Sequence, residues 1–333
     1  MQYTSTERRL IEGILDAPTE AAPRLTYATW LDAEGEVLRA KILRATCIAS
    51  HAFAELQASL AELPTAYAGW SRLIGAQLIH HAHAQGFEDF IARWLLLARP
   101  AIELKVGAPT EGLPLGASRL WGDPDLPPNT RWPTFADCKR WEPHIQLPPE
   151  SPCQFIAQIN LAELAATPAA RALPRSGLLS IFTHHEWEHT ASAGIYLRYF
   201  RDTSSLERVR HVDADEFNAR IAPHAMELVE SLTIPDDDAF RGPFAAAVGL
   251  IDCDYATSKK YREVRFATGE FYGLLGHDSA TTGGDPTPGE DWERLLVLPS
   301  DPSGVGIHHL SIERAKLLAG ELEDHRLVWI DVD

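Results

Sequence analysis

The chain has 333 residues, enough for two domains and a large core. Its 45% apolar and 23% charged residues are those of an ordinary soluble globular protein, and Glu7, Arg8, Arg9 and Glu12 interrupt the opening stretch, so no signal peptide or membrane span is expected and the expected location is cytoplasmic. The net charge of −17 is uneven, with 9 basic and 11 acidic side chains in residues 1–100 against 21 and 36 beyond them; that field repels phosphate backbones and anionic membranes, which excludes nucleic acid as the expected partner and favours a basic protein.

Thr4 followed by Glu7 fits a capping box, and Leu10, Ile11, Ile14 and Leu15 at helical spacing predict a helix running to about Asp16, before Pro18. A second helix is expected from near Pro23 to Gly35, with Leu25, Trp30 and Leu31 inward. Glu36 to Leu63 reads as one further helix with a broad apolar face, broken by Pro64, and Trp70 to about Leu97 as another. Residues 1–100 are therefore expected to form a helical domain. Within it, E-R-R-L-I-E-G-I-L-D-A-P and A-P-R-L-T-Y-A-T-W-L-D-A-E-G resemble the repeat-companion domain of bacterial proteins, over about residues 1–46. Thr29 stands where that pattern has an acidic residue, and its "GDPRGEFIR" has become G-E-V-L-R-A-K-I-L-R. The resemblance implies packing or recruitment, not catalysis.

Residues 101–333 read as a second domain. Its strands are expected at 101–106, 154–159, 178–182, 195–199, 246–251, 264–267, 294–298 and 327–330, and its helices at about 161–166, 214–221 and 312–318. Gly107 to Asn129 holds four glycines and five prolines, the composition of a loop with fixed turns. Strands and helices mix without regular alternation, so the fold class is α+β, mainly antiparallel.

The succession S-R-L-W-G-D-P-D-L-P-P, then W-P, then F-I-A-Q-I-N-L-A-E-L and L-P-R-S-G-L-L resembles the YwqG-like family of bacterial proteins, over about residues 102–333. That resemblance implies an antiparallel α+β fold without a settled activity, and it singles out Arg119, Trp121, Asp123, Trp132 and Gln158 as a candidate binding pocket. R-L-W-G-D-P has a weak echo in G-L-L-G-H-D, which points to an internal duplication; the second copy's counterpart of Gln158 is Val297.

His185-Glu186-x-x-His189 satisfies the HExxH pattern, in which two histidines four apart on a helix hold zinc and the glutamate serves as general base. Here the pattern follows the apolar run L-L-S-I-F and precedes T-A-S-A-G, which places it in a polar loop at a strand end. His80 and His83 share a helix face without acidic partners, and His308 and His309 precede the last expected helix; all four read as helix-surface histidines. Pro235-Asp236-Asp237-Asp238 lacks the spacing of a calcium loop, and Gly283-Gly284-Asp285-Pro286 lacks the lysine of a phosphate loop. Cys47, Cys138, Cys153 and Cys253 are far apart in sequence and are expected to be reduced. The expected function is non-catalytic binding of a basic protein, in the manner of an immunity protein. The alternatives are a zinc-dependent hydrolase using His185, Glu186 and His189, and an oligomeric scaffold held by the N-terminal helices.

Overall fold

The computed structural model describes residues 3–47, 52–139, 148–185, 192–210, 221–235, 254–268, 272–277, 291–299 and 306–331. The chain opens in helices. In α1 (Ser5–Asp16) the Thr4 hydroxyl accepts from Glu7 N as expected, but Glu7 does not complete a capping box. Its carboxylate runs inward to accept from Tyr27 Oη at 2.7 Å and from the Arg39 guanidinium, a stronger use of a buried charge than a helix cap.

The second helix, α2 (Ala21–Ala33), turns Arg24 inward where Leu25 was expected; Leu25 is 46% exposed. Arg24 is buried because each arm of its fork finds an acceptor: Nη1 donates to Thr46 Oγ1 and Ile74 O, and Nη2 to Pro18 O. The single helix expected over Glu36 to Leu63 is two, α3 (Val37–Ala45) and α4 (Phe53–Glu62). Thr46 ends the first, its hydroxyl donating back to Leu43 O while receiving Arg24. Likewise Trp70 to Leu97 is divided into α5 (Ala68–Leu73), α6 (Ala76–Ala84) and α7 (Ile91–Leu97). Gly75 and Gly86 at the breaks both have φ +79°, the left-handed turn that ends a helix and that a glycine adopts without a Cβ penalty.

A ten-stranded antiparallel sheet follows: β1 (Arg99–Pro109), β2 (Arg119–Leu120), β4 (Gln154–Asn160), β5 (Leu178–His185), β6 (Ser192–Phe200), β8 (His224–Thr233), β9 (Gly273–Leu275), β10 (Trp292–Pro299), β11 (Gly306–Glu313) and β12 (His325–Asp331). A separate pair joins β3 (Asp125–Leu126) to β7 (Glu207–Arg208). The proline-rich loop thus contributes two short strands that its composition hid. Two more helices, α8 (Tyr255–Thr268) and α9 (Arg314–Ala319), complete the described elements.

Residues 264–267, expected as a strand, lie in α8, where Tyr261 and Val264 are buried three apart, as one face of a helix requires. His308 and His309, expected on a helix, are buried residues of β11. Of the expected helix at 214–221 all but Ile221, and the whole expected strand at 246–251, lie outside the described residues.

The sheet order is β12-β11-β10-β9-β1-β8-β2-β4-β5-β6. The long strands β1 and β8 are antiparallel at its centre, with β2 against β8 and β9 against β1. Each short strand pairs with the long strand of the other half of the chain. The echo seen in the sequence is accurate to the residue: Arg119 pairs with Gln158, and Gly273 with Val297. Trp121-Gly122 and Leu275-Gly276 repeat the same left-handed pair, with φ 54° and 73° in one and 60° and 80° in the other. Even the register shift recurs, between Phe155 and Ala157 and between Arg294 and Leu296.

The helices and the sheet share one hydrophobic core, in which Trp70 and Leu73 of α5 join Ile102, Leu232 and Leu274. Gly69 explains how close α5 comes: a Cβ there would stand 3.2 Å from Glu230 O. Polar ties reinforce the contact, with the Tyr3 hydroxyl donating to Glu230 and Arg72 paired with Glu103.

Candidate functional site

Three of the five expected pocket residues gather around one that sequence reasoning passed over, Asp125. Its carboxylate is fully buried and accepts from Arg119 at 2.9 Å, Arg208 Nε at 3.0 Å, Gln158 Nε2 at 3.0 Å and Gly116 N at 2.8 Å. Burial pushes this carboxyl up, but the hydrogen bonds from Arg208, Arg119 and Gln158 outweigh it and hold the group below its ordinary range.

Gln158 spends its whole hydrogen-bonding capacity here. Its Oε1 accepts from Asp125 N at 2.9 Å and Arg119 Nη2 at 3.2 Å, and its Nε2 also donates to Ala117 O at 2.8 Å. Arg119 Nη2 further donates to the backbone oxygen of Asp123. Arg208 reaches on to Leu113 O at 2.9 Å. The result is a latch that folds the proline loop over the ends of β2 and β4. Every oxygen of its carboxylate is occupied, so Asp125 is held as an anion and has no lone pair directed at a reacting group.

Beside the latch is a cavity of about 360 Å³. Arg119, Arg208 and Arg210 line it with Glu111 and Asp123, over a floor that includes Pro223. Arg119 Nε is buried and meets no acceptor among the described residues. Trp121, by contrast, is buried with its ring edge-on to His224 at 5.2 Å and serves to pack the turn.

Trp132 belongs elsewhere. It packs edge-on against Phe182 at 5.3 Å and donates Nε1–H to Cys153 O at 2.8 Å, within a second apolar cluster that holds Phe135, Phe155, Cys138 and Cys153. The expected single pocket is therefore two neighbourhoods. A cavity of about 320 Å³ adjoins the second, with Phe182, Tyr196 and Phe200 on its wall and Arg131 and Arg198 at its sides.

The histidine-rich hexapeptide begins inside β5: His184 pairs with Gly194 and His185 with Ser192. Glu186 and His189, the other members of the HExxH pattern, lie outside the described residues, as does the Asp236–Asp238 run. His80 and His83 are half-buried on α6 and stack against Phe53, His83 at 3.6 Å between ring centroids. Among the described residues no group of three His, Cys, Asp or Glu side chains is placed to hold a metal ion.

Sequence reasoning had one clue to Asp125. A buried glutamine beside an arginine needs a partner, and D-P-D-L-P-P offers two carboxylates; the family resemblance points to Asp123, and the structure places Asp125 at the centre. Arg208 carried no such signal, because its pairing depends on β7 returning from 83 residues away.

Fold and site together define an α+β protein, a helical cap on a two-half antiparallel sheet in which one half carries a buried carboxylate latch. Over residues 118–320 the chain matches the family described as a domain of unknown function (DUF1963), and it belongs to that family. No curated protein matches the chain. No helix among the described residues is long and apolar enough to cross a membrane.

Proposed function

We propose that this chain is a non-catalytic binding protein of the bacterial cytosol that captures a basic protein, as an immunity protein captures a toxin. The observation that carries this reading is the excess of 36 acidic over 21 basic side chains beyond Arg99. Such a field accelerates encounter with a basic partner and disfavours acidic competitors.

The latch supports binding over chemistry, because the polar groups of Asp125 and Gln158 are spent within it. In the adjoining cavity, which Arg210 also lines, Glu111 and Asp123 offer carboxylates to an inserted lysine or arginine, while Arg208 and Arg119 are opposed by Asp125. One anchoring side chain in such a cavity is the usual form of an interface hot spot. The YwqG-like resemblance of the sheet and the repeat-companion resemblance of residues 1–46 accord with this reading, the latter as a recruitment module.

The test is retention of proteins from the lysate of the source bacterium on the tagged full-length chain, followed by binary binding with the purified partner. A partner of basic isoelectric point, released as salt rises, is expected. A partner that is acidic, or a complex indifferent to salt, would overturn the reading.

A further inference from the structure

Two cysteines that lie fifteen positions apart in sequence meet in space: Cys138 Sγ and Cys153 Sγ are 3.3 Å apart. Both are buried, Cys153 completely and Cys138 to 9% exposure. Their backbones are clamped on either side of the pair. Thr134 bridges Pro152, Phe135 N donates to Ser151 O at 2.8 Å, and Cys153 N donates to Pro133 O at 3.0 Å. On the far side Lys139 and Ile195 exchange two backbone hydrogen bonds, at 2.8 and 3.0 Å. The sulfurs therefore face each other because three stretches of chain hold them there, not because a flexible loop happens to pass.

A bonded pair of sulfurs stands at about 2.05 Å, so these two need approach by only about 1.3 Å, within reach of small side-chain rotations. The surrounding wall is apolar, formed by Phe135, Phe155 and Phe182. It admits a small uncharged oxidant more readily than a charged tripeptide disulfide.

We propose that Cys138 and Cys153 are a peroxide-oxidisable thiol pair that closes to a disulfide and joins the turn at Phe135–Asp137 to the start of β4. Cys138, the more exposed, loses its proton and attacks one oxygen of hydrogen peroxide; the O–O bond breaks, leaving a sulfenic acid and, once the hydroxide takes up that proton, one water. The Cys153 sulfur, losing its own proton, then displaces hydroxide from the Cys138 sulfur, forming the S–S bond and a second water. The protein gives up two protons and two electrons, and the peroxide is reduced to two waters. A dithiol reductant reverses the change. The hydrogen bond with Cys138, then burial, hold the Cys153 thiol well above its ordinary range, which suits a resolving thiol rather than an attacking one. Cys47, half-exposed after α3, has no thiol beside it among the described residues and provides an internal control.

The experiment is peroxide treatment of reduced full-length protein, alkylation of the remaining thiols, and peptide mapping by mass spectrometry. The expected result is one cross-link joining the peptides of Cys138 and Cys153, two hydrogens lighter than the reduced pair, with Cys47 and Cys253 alkylated and the link lost on reduction. The melting temperature should rise on oxidation and not in Cys138→Ser, because the link shortens the open loop of the unfolded chain. Cys153→Ser should instead leave a sulfenic acid that a dimedone probe captures at Cys138. Sulfinic or sulfonic acid at Cys138 beside an alkylated Cys153 in the natural protein would overturn the proposal, as would a cross-link to Cys47 or Cys253, or no loss of thiols. The mapping on the natural protein needs no variant to fold.

Discussion

The two halves of the sheet follow the same path with different interiors. In the first, Arg119 on β2 and Gln158 on β4 face each other across the ladder and are bound to buried Asp125; in the second, the same two places hold Gly273 and Val297. A Cβ at Gly273 would lie 2.4 Å from Ile102 O, so the second half closes by bringing backbones together where the first interposes an arginine. The turn that follows repeats its left-handed pair in both halves, yet Asp123 at its end has His277 as its counterpart. One backbone plan thus accepts either a carboxylate latch or a closer junction in which buried Arg294 donates Nε–H to the backbone oxygen of Leu275. The latch needs all its members, since a half-satisfied polar network is worse than none.

The largest expected effect comes from separating the halves. Because β2 is paired to β8 and β9 to β1, a chain ending at Arg210 lacks the strand that joins its own β1 and β2. Such a chain should show no cooperative urea transition, and a sharp transition would mean that the halves are independent after all. Next is Asp125→Ala, which leaves the guanidinium of Arg119 buried and uncompensated. The expected loss is about 3–5 kcal/mol, read from urea midpoints at constant slope.

Smaller effects follow from exchanging the halves' residues. Gln158→Val gives the first half the residue of the second and strands Asp125 N and Ala117 O, for about 1–3 kcal/mol. Val297→Gln, at a site 1% exposed, buries an amide with no network to receive it and should cost a similar about 1–3 kcal/mol. If both exchanges were neutral, the interiors would be interchangeable and the latch would have no structural meaning.

The smallest effect is on pH. Burial, then the Arg99 charge, push His277 down from its ordinary 6.5 to about 3, and its ring nitrogen contacts Leu97 O. The unfolded chain therefore binds this proton before the folded one does, and the second half's contribution is present above pH 6.5 and lost as pH falls from 6.5 towards about 3. Asp125, held below its ordinary 3.8, brings loss in the first half only as pH falls below that value. His277→Gln should reduce the slope of the stability profile between pH 6.5 and about 5, part of which remains with His325, likewise pushed down to about 3 by burial, whereas Asp125→Asn leaves the slope there unchanged.

Much of this arrangement was legible in the sequence, and the exceptions have physical causes. Apolar runs such as Q-F-I-A-Q-I-N and R-L-L-V-L named β4 and β10, because strands buried on both faces need no alternation. The echo between residues 119–123 and 273–277 was readable because short turns with fixed dihedrals constrain residue type strongly. β8 was missed since H-A-M-E-L-V-E-S-L-T mixes charges at a period that fits helix or strand; Glu230 takes the Tyr3 hydroxyl only once α1 is docked. Arg24 was missed for the same reason, its acceptors on Pro18, Thr46 and Ile74 being scattered along the chain. Of the residues expected at the pocket, Arg119, Asp123 and Gln158 lie at the latch, while Trp121 and Trp132 pack separate clusters. Asp125, Arg208 and the Cys138–Cys153 contact depend on strands or loop bases meeting from distant parts of the chain, which local spacing does not encode.

The central proposal is that this acidic chain captures a basic protein, anchored at Glu111 and Asp123, and calorimetric titration of the purified partner into the natural chain and into the Glu111→Lys, Asp123→Lys double variant tests it most directly. The account predicts an affinity that falls with rising salt in the natural chain and falls at least about tenfold in the variant at low salt, a difference of about 1.4 kcal/mol. Equal affinities for the two chains, unchanged across the salt series, would contradict it.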